Sequence, residues 1–240
     1  LYELKEEYDI DDIKEKILED DEIDNETKLI CQNFFTMAES WKIFKKKGLR
    51  CSEIVQKGKI SILDLNPYPE NLKAIILAVI GEMFFEERVK ERKRDEERKM
   101  GIIDIESEIP LIWLAIDEAH VFLPQEEKIT KEVYINRWMR QGRQPGLTLI
   151  LATQRPSSLD NEVLSHADII ICHRLTAQED IDSLNKIRPT YMKESIGEAI
   201  KKMGAEKGIA IVIDDVTEAV HVIKVRPRKS WHGGEEPSAV

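Results

Sequence analysis

The sequence predicts an α/β fold: a largely parallel sheet flanked by helices, with a helical segment before it and a β-hairpin and arm after it. Three observations carry this. First, Leu111-Ile112-Trp113-Leu114-Ala115-Ile116 is an uncharged apolar run, as expected of a strand buried on both faces. Second, Gly146-Leu147-Thr148-Leu149-Ile150-Leu151-Ala152 is another, ~35 residues on, with a helix-length segment between; a right-handed crossover makes two such strands parallel. Third, Ile209–Ile213 and Val220–Val225 alternate around Asp214-Asp215, the pattern of a hairpin.

Residues 1–57 read as helical. Ile10, Ile13 and Ile17 share one helix face. Asn25 or Thr27 is placed to cap a longer helix carrying Leu29, Ile30, Phe34, Met37, Ala38 and Trp41. Lys45-Lys46-Lys47 before Gly48 marks a solvated helix end. The core is expected over 58–225. Gly58–Leu65 reads as a strand stopped by Asn66-Pro67. The helix after it places Leu72, Ile75, Ile76, Val79, Ile80, Met83 and Phe84 at i, i+3, i+4 spacing. Its continuation from Glu86 to Lys99 mixes both charge signs and reads as a helix projecting into solvent, fraying towards Gly101.

After the first central strand, 122–128 is a loop, and Thr130 opens a helix through Glu132, Val133, Ile135, Trp138 and Met139. Ser165–Cys172 contains a further buried strand, followed by a helix from about Thr176. A helix from about Thr190 carries Ile196, Ala199, Ile200 and Met203 and closes at Gly204. The remainder, 226–240, is a polar arm that begins basic.

The chemistry is concentrated at the two central strand ends. The first run ends abruptly in Asp117-Glu118, at the C-terminal strand edge where open α/β sheets hold ligands. Adjacent carboxylates there match a Walker B tip, Asp for the shell of a Mg²⁺ ion and Glu to polarise an attacking water. The second run ends in Thr153-Gln154-Arg155-Pro156, and an uncharged Gln154 there suits a sensor of phosphate or water. Taken alone, each tip also reads as an ordinary polar strand end. Arg137, Arg140 and Arg143 fall within seven residues just before the second strand, a density that suggests an arginine presented to a neighbouring subunit.

Composition narrows the classes. Net charge is −10 over 240 residues, which excludes a generally basic nucleic-acid binder but leaves room for a local basic lining. An apolar fraction of 42% is enough for a real core. No apolar run reaches the ~20 residues needed to span a bilayer, and Leu1-Tyr2-Glu3-Leu4-Lys5 is no signal peptide. Cys31, Cys51 and Cys172 lack metal-ligand spacing and suit a reducing, cytoplasmic compartment. The five histidines show no pairing that marks a metal site.

Four segments together resemble the HerA-type ATPases of the HerA–FtsK group: Ile116-Asp117-Glu118-Ala119-His120; Ala152-Thr153-Gln154-Arg155-Pro156; Leu159-Asp160 leading to Asp168-Ile169-Ile170-Ile171; and Arg226-Pro227-Arg228 with His232-Gly233-Gly234. The resemblance runs from about residue 58 to the end. It implies a RecA-like P-loop ATPase core, ATP and Mg²⁺ as cofactors, and a homo-hexameric ring around double-stranded DNA. It implies a NurA-like nuclease partner, with a role in end resection and recombinational repair. By that resemblance Asp117 is the Mg²⁺-associated carboxylate, Glu118 the catalytic base and Gln154 the sensor. Arg143, and less directly Arg140, is the arginine offered to the next subunit's nucleotide.

One departure stands out. No Gly-x-x-x-x-Gly-Lys-Ser/Thr segment is present; Gly58-Lys59-Ile60-Ser61 lacks the upstream glycine and separates Lys from Ser. The chain is therefore expected to be the downstream part of a larger polypeptide, inactive by itself. Two other readings fit the same residues: a packaging or conjugative coupling motor, and a catalytically silent module that docks on a nuclease.

Overall fold

The computed structural model describes residues 8–186, 198–200, 208–227 and 229. The chain divides into two compact units, residues 1–61 and 62–240. In the first, α1 (Ile10–Glu19) is capped by Asp9, whose carboxylate accepts from the Asp11 and Asp12 amides while Asp12 accepts from the Asp9 amide. This reciprocal pairing satisfies N–H groups that a helix start otherwise leaves open. Asp24 caps α2 (Asn25–Ser40), accepting from Glu26 N, Thr27 N and Thr27 Oγ1. The cap is therefore one residue upstream of the expected Asn25, which is the first helical residue. Lys14 joins the two helices through Glu39 at 2.6 Å. Lys46 closes on Asp9 and Asp12, so the lysine run is anchored at its middle residue. A short α3 (Cys51–Ile54) follows, with Cys51 buried.

The strand expected over 58–65 does not form. Those residues are irregular, with Ile60 92% and Ile62 87% exposed. Alternation specifies a strand only where a neighbour completes the ladder, and none of the described strands pairs with this segment.

The second unit is organised on α4 (Glu70–Lys99), continuous for 30 residues. Its buried face runs through Leu72, Leu77, Ala78, Gly81, Phe84 and Phe85, whereas Val79 is 63% exposed. The expected stripe is thus rotated, because the face is chosen by its partner helix. That partner is α5 (Ile129–Lys131), which runs on directly as a π-helix, Glu132–Met139. From it Tyr134 Oη donates to Leu77 O at 2.7 Å and Trp138 Nε1 to Gly81 O at 2.9 Å. Arg137 pairs with Glu82 and lies 5.9 Å over the Phe85 ring. Gly81 makes this approach possible, since a Cβ there would stand 2.6 Å from Tyr134 Oη. The expected plain α-helix is replaced by i→i+5 pairing, a rare geometry that apolar spacing does not announce.

The charged end of α4 is not wholly solvated either. Arg88 is 3% and Glu91 1% exposed. Arg88 Nε donates to Pro145 O at 2.8 Å and Nη1 donates to Ile109 O. Glu91 accepts from Arg94 and Ser107. A buried charge with its hydrogen bonds met is tolerated where a bare one is not.

β1 (Ile112–Ile116) pairs parallel with β2 (Leu147–Leu151), Ile112 opposite Leu147 through Ile116 opposite Leu151. The fold is thus α/β with a parallel pair, as expected. β1 is not buried on both faces: Ile112 and Ile116 are inside, Trp113 is 70% exposed. α6 (Asn161–Ser165) leads to β3 (Ile169–Cys172), and α7 (Gln178–Lys186) follows where a helix was expected. β3 pairs antiparallel with β4 (Ile209–Asp214), which pairs antiparallel with β5 (Ala219–Lys224). The expected hairpin is therefore present, its turn braced by Asp214 accepting from Val216 N and Thr217 N. β3 was expected to be buried, yet Ile169 and Ile171 are exposed; on the other face Ile170 is half-buried and Cys172 buried. Of the helix expected from Thr190 to Gly204, 198–200 are helical with Ala199 and Ile200 buried, and the rest lies outside the described residues. So does nearly all of the arm. No described helix is long and apolar enough to cross a membrane.

Two outcomes follow from this packing. Gly81→Ala should lower the unfolding free energy by about 1–3 kcal/mol, read by urea denaturation, because neither Tyr134 nor the α4 backbone can move aside without losing a hydrogen bond. Burial pushes the Cys172 thiol from its ordinary 9.0 up to about 11. The folded chain then holds this proton where the unfolded chain releases it, so the stabilisation is complete below pH 9 and is lost as pH rises towards 11. Denaturation at pH 8 and pH 10.5 should show a larger alkaline loss for the wild type than for Cys172→Val.

Candidate active site at the strand tips

The candidate site is set by a gap in the ladder between β1 and β2. Ala152 N donates to Ile116 O at 3.0 Å, and the next bond runs from Ala119 N to Ala152 O at 2.9 Å. Pairing thus skips Asp117 and Glu118, which leave the sheet plane at its C-terminal edge. Glu118 takes the left-handed conformation, φ +48°, which costs a non-glycine residue about 1 kcal/mol. Asp117 Oδ1 accepts from Glu118 N at 2.9 Å and steadies the turn. Ala119, fully buried, then begins a 3₁₀ turn, Ala119–Val121.

Glu118 is met by the tip of β2. Gln154 Nε2 donates to Glu118 Oε1 at 2.9 Å. His120 Nδ1 is 3.5 Å from Glu118 Oε2 and 3.0 Å from Thr153 Oγ1. Thr153 Oγ1 also accepts from Arg155 N at 3.0 Å. The strand ends therefore bring Asp117, Glu118 and Gln154 together as the sequence expects. They add His120 and Thr153, which sequence reasoning did not single out. Their signal was position alone, two residues after Glu118 and one before Gln154. The loops behind the tips are cross-tied: Asp160 N donates to Leu123 O at 2.9 Å, and Lys131 pairs with Asp160 at 2.8 Å. Asp117 is exposed and Glu118 half-buried, so the edge is open to a ligand.

The arginines lie elsewhere. Ile112 N donates to Gly146 O, which places Gly146 at the N-terminal end of β1. Arg140 and Arg143 precede it in the chain and approach that edge, whereas Glu118 lies six residues, or about 20 Å of strand, beyond Ile112. Gly146 itself is constrained, with φ +83° and a Cβ position 2.3 Å from Leu111 Cδ2. The three arginines do not act as one cluster. Arg137 is turned into the α4 interface. Arg140 is held by Glu162 of α6 at 2.8 and 3.0 Å. Arg143 lines an open depression of about 560 Å³ with Arg140, Gln141 and Gln144. Among the described residues, no group of three or more His, Cys, Asp or Glu side chains is placed to hold a metal ion.

The family described as zonular occludens toxin (Zot) matches residues 87–178, a span that includes both strand tips. The DNA double-strand break repair helicase HerA of Pyrococcus furiosus is 26% identical, over 75% of this chain and 35% of its own length. A probable helicase of Methanocaldococcus jannaschii is also 26% identical, over 78% of this chain and 34% of its own. The HerA helicase of Sulfolobus acidocaldarius is 23% identical, over 77% and 35%. The chain is thus similar to HerA helicases over about three quarters of its own length. It spans about a third of the length of these relatives. Among solved structures, the genome packaging NTPase B204 of Sulfolobus turreted icosahedral virus 2 is 19% identical with a TM-score of 0.48, over 75% of this chain and 73% of its own.

The Arg140–Glu162 pair is about half exposed on both sides, where screening leaves little net attraction. A double-mutant cycle with Arg140→Gln and Glu162→Gln should give a coupling below about 1 kcal/mol at physiological salt, falling further at high salt.

Proposed function

We propose that this chain forms the hydrolytic strand edge of an ATP-driven double-stranded DNA translocase or helicase. The observation that carries the reading is the skipped ladder: two adjacent carboxylates stand out from the tip of β1, and Gln154 reaches one of them from the tip of β2. The names of the relatives, DNA double-strand break repair helicases, support the substrate class.

In this reading Asp117 belongs to the shell of a Mg²⁺ ion. The residue fits, being an exposed hard oxygen donor with one oxygen already oriented by Glu118 N–H. When bound, the ion supplies charge neutralisation for the phosphates of ATP. Glu118 takes the proton of the attacking water. Gln154 donates to Glu118 and orients it. Arg143, on the far edge, faces a neighbouring subunit's nucleotide, and Arg140 must first leave Glu162 to do the same. These 240 residues hold no phosphate-cradling loop, so that part of the site comes from chain outside them. A homo-hexameric ring, a NurA-like nuclease partner, a role in end resection and a cytoplasmic location complete the proposal on the strength of the resemblance.

The test uses the polypeptide that joins these residues to a nucleotide-binding loop. Glu118→Gln should reduce duplex-stimulated ATP turnover by about 100-fold or more while leaving ATP retention in a filter-binding assay unchanged. Turnover that survives the substitution would remove Glu118 as the base.

A further inference from the structure

His120 has no place in the reading so far, yet it lies against the side chain on which that reading depends. Its ring is largely enclosed, with 17% of the side chain exposed. One nitrogen, Nδ1, faces two oxygens at once: Thr153 Oγ1 at 3.0 Å and Glu118 Oε2 at 3.5 Å. The second distance is long for a hydrogen bond and within reach of an electrostatic contact.

The proton can be placed from these contacts. If it sat on Nε2, Nδ1 would accept from the Thr153 hydroxyl but would also turn its lone pair towards a carboxylate oxygen, an unfavourable arrangement. With the proton on Nδ1, the same contact becomes attractive. Thr153 can accept that proton as well. Its oxygen already accepts from Arg155 N, and a hydroxyl has a second lone pair for His120. Arg155 N–H thereby fixes Thr153, and Thr153 fixes the imidazole.

We propose that His120 is a positioning residue for Glu118: with its proton on Nδ1, it bridges Thr153 Oγ1 and Glu118 Oε2 while Gln154 holds Oε1. The carboxylate is then held from both sides by groups on two strand tips. That support matters because Glu118 projects from a left-handed turn outside the ladder, where no strand neighbour limits its side chain. The proposal rests on the reading of Glu118 as the base, and it adds a residue and a tautomer that the reading does not contain.

Two measurements test it. The first needs no nucleotide. In the ¹⁵N-labelled 240-residue chain at pH 8, long-range proton–nitrogen correlation reports which imidazole nitrogen carries the proton, and His120→Asn identifies the His120 signals by their loss. The expected result is the Nδ1–H tautomer, shifting towards Nε2–H in Glu118→Gln. An Nε2–H wild type, or a tautomer that Glu118→Gln does not move, overturns the proposal.

The second is ATP turnover in the loop-containing polypeptide. His120→Ala should lower kcat about tenfold with KM for ATP unchanged. His120→Asn sets an amide near the Nδ1 position and should restore most of the rate. His120→Gln sets it near Nε2 and should not. A merely structural histidine would not separate Asn from Gln, and equal rates for the two overturn the positioning role alone. Turnover that survives Glu118→Gln overturns the base assignment, and this proposal with it, so the two failures are distinguishable.

Discussion

Ala152 is the pivot of the molecule. Its N–H and C=O clamp Ile116 and Ala119, and the two residues between them have nowhere in the sheet to go. A parallel ladder spends its hydrogen bonds evenly along each strand; here Ala152, just past β2, serves Ile116 at the end of β1 and Ala119 beyond it, three apart in sequence. The exposed pair is therefore a result of backbone pairing, and the carboxylates need no loop of their own to reach solvent. Gln154 and Thr153 arrive by the same device, as the first side chains beyond Ala152.

The pivot holds only because the strands are fixed at their other end. Arg88 reaches from α4 to the carbonyls of Pro145 and Ile109, just ahead of β2 and β1. The π-helix between the strands is tied to α4 by Tyr134 and Trp138, both donating to backbone oxygens a turn apart. α4 thus sets the height of both strands, and the tips meet in register as a consequence. Long-range order in this unit comes from polar side chains bonding to backbone, within an apolar interface that excludes water around them.

What the sequence disclosed and what it withheld follow from the same physics. The apolar runs of β1 and β2 were legible because parallel strands leave long uncharged stretches, and the Asp117-Glu118 tip stood out by contrast. The hairpin of β4 and β5 was legible from alternation around Asp214-Asp215. Gly58–Leu65 misled because alternation is half a signal and its ladder partner is the other half. The helix face of α4 was misassigned because Gly81, which counts as nothing in an apolar periodicity, is the residue its partner seeks. Arg88 and Glu91 were hidden in a run of mixed charge, where burial depends on carbonyls and hydroxyls far away in sequence. Of the site, Asp117, Glu118 and Gln154 could be read from strand ends. The left-handed turn at Glu118, the contacts of His120 and the pairing of Arg140 with Glu162 are consequences of tertiary geometry.

The π-helix also bears on how this chain can change length. A helix that pairs i→i+5 holds one residue more per turn than an α-helix would need over the same span. Losing a single residue between Glu132 and Trp138 would let α pairing resume over the same span, and the side chains beyond the deletion would keep nearly their directions around the axis. Trp138 could then keep its bond to Gly81 and Arg140 its direction towards Glu162. This helix can accordingly shorten by one residue at small cost to the interface it makes with α4, as the rest of the helix, already α, cannot.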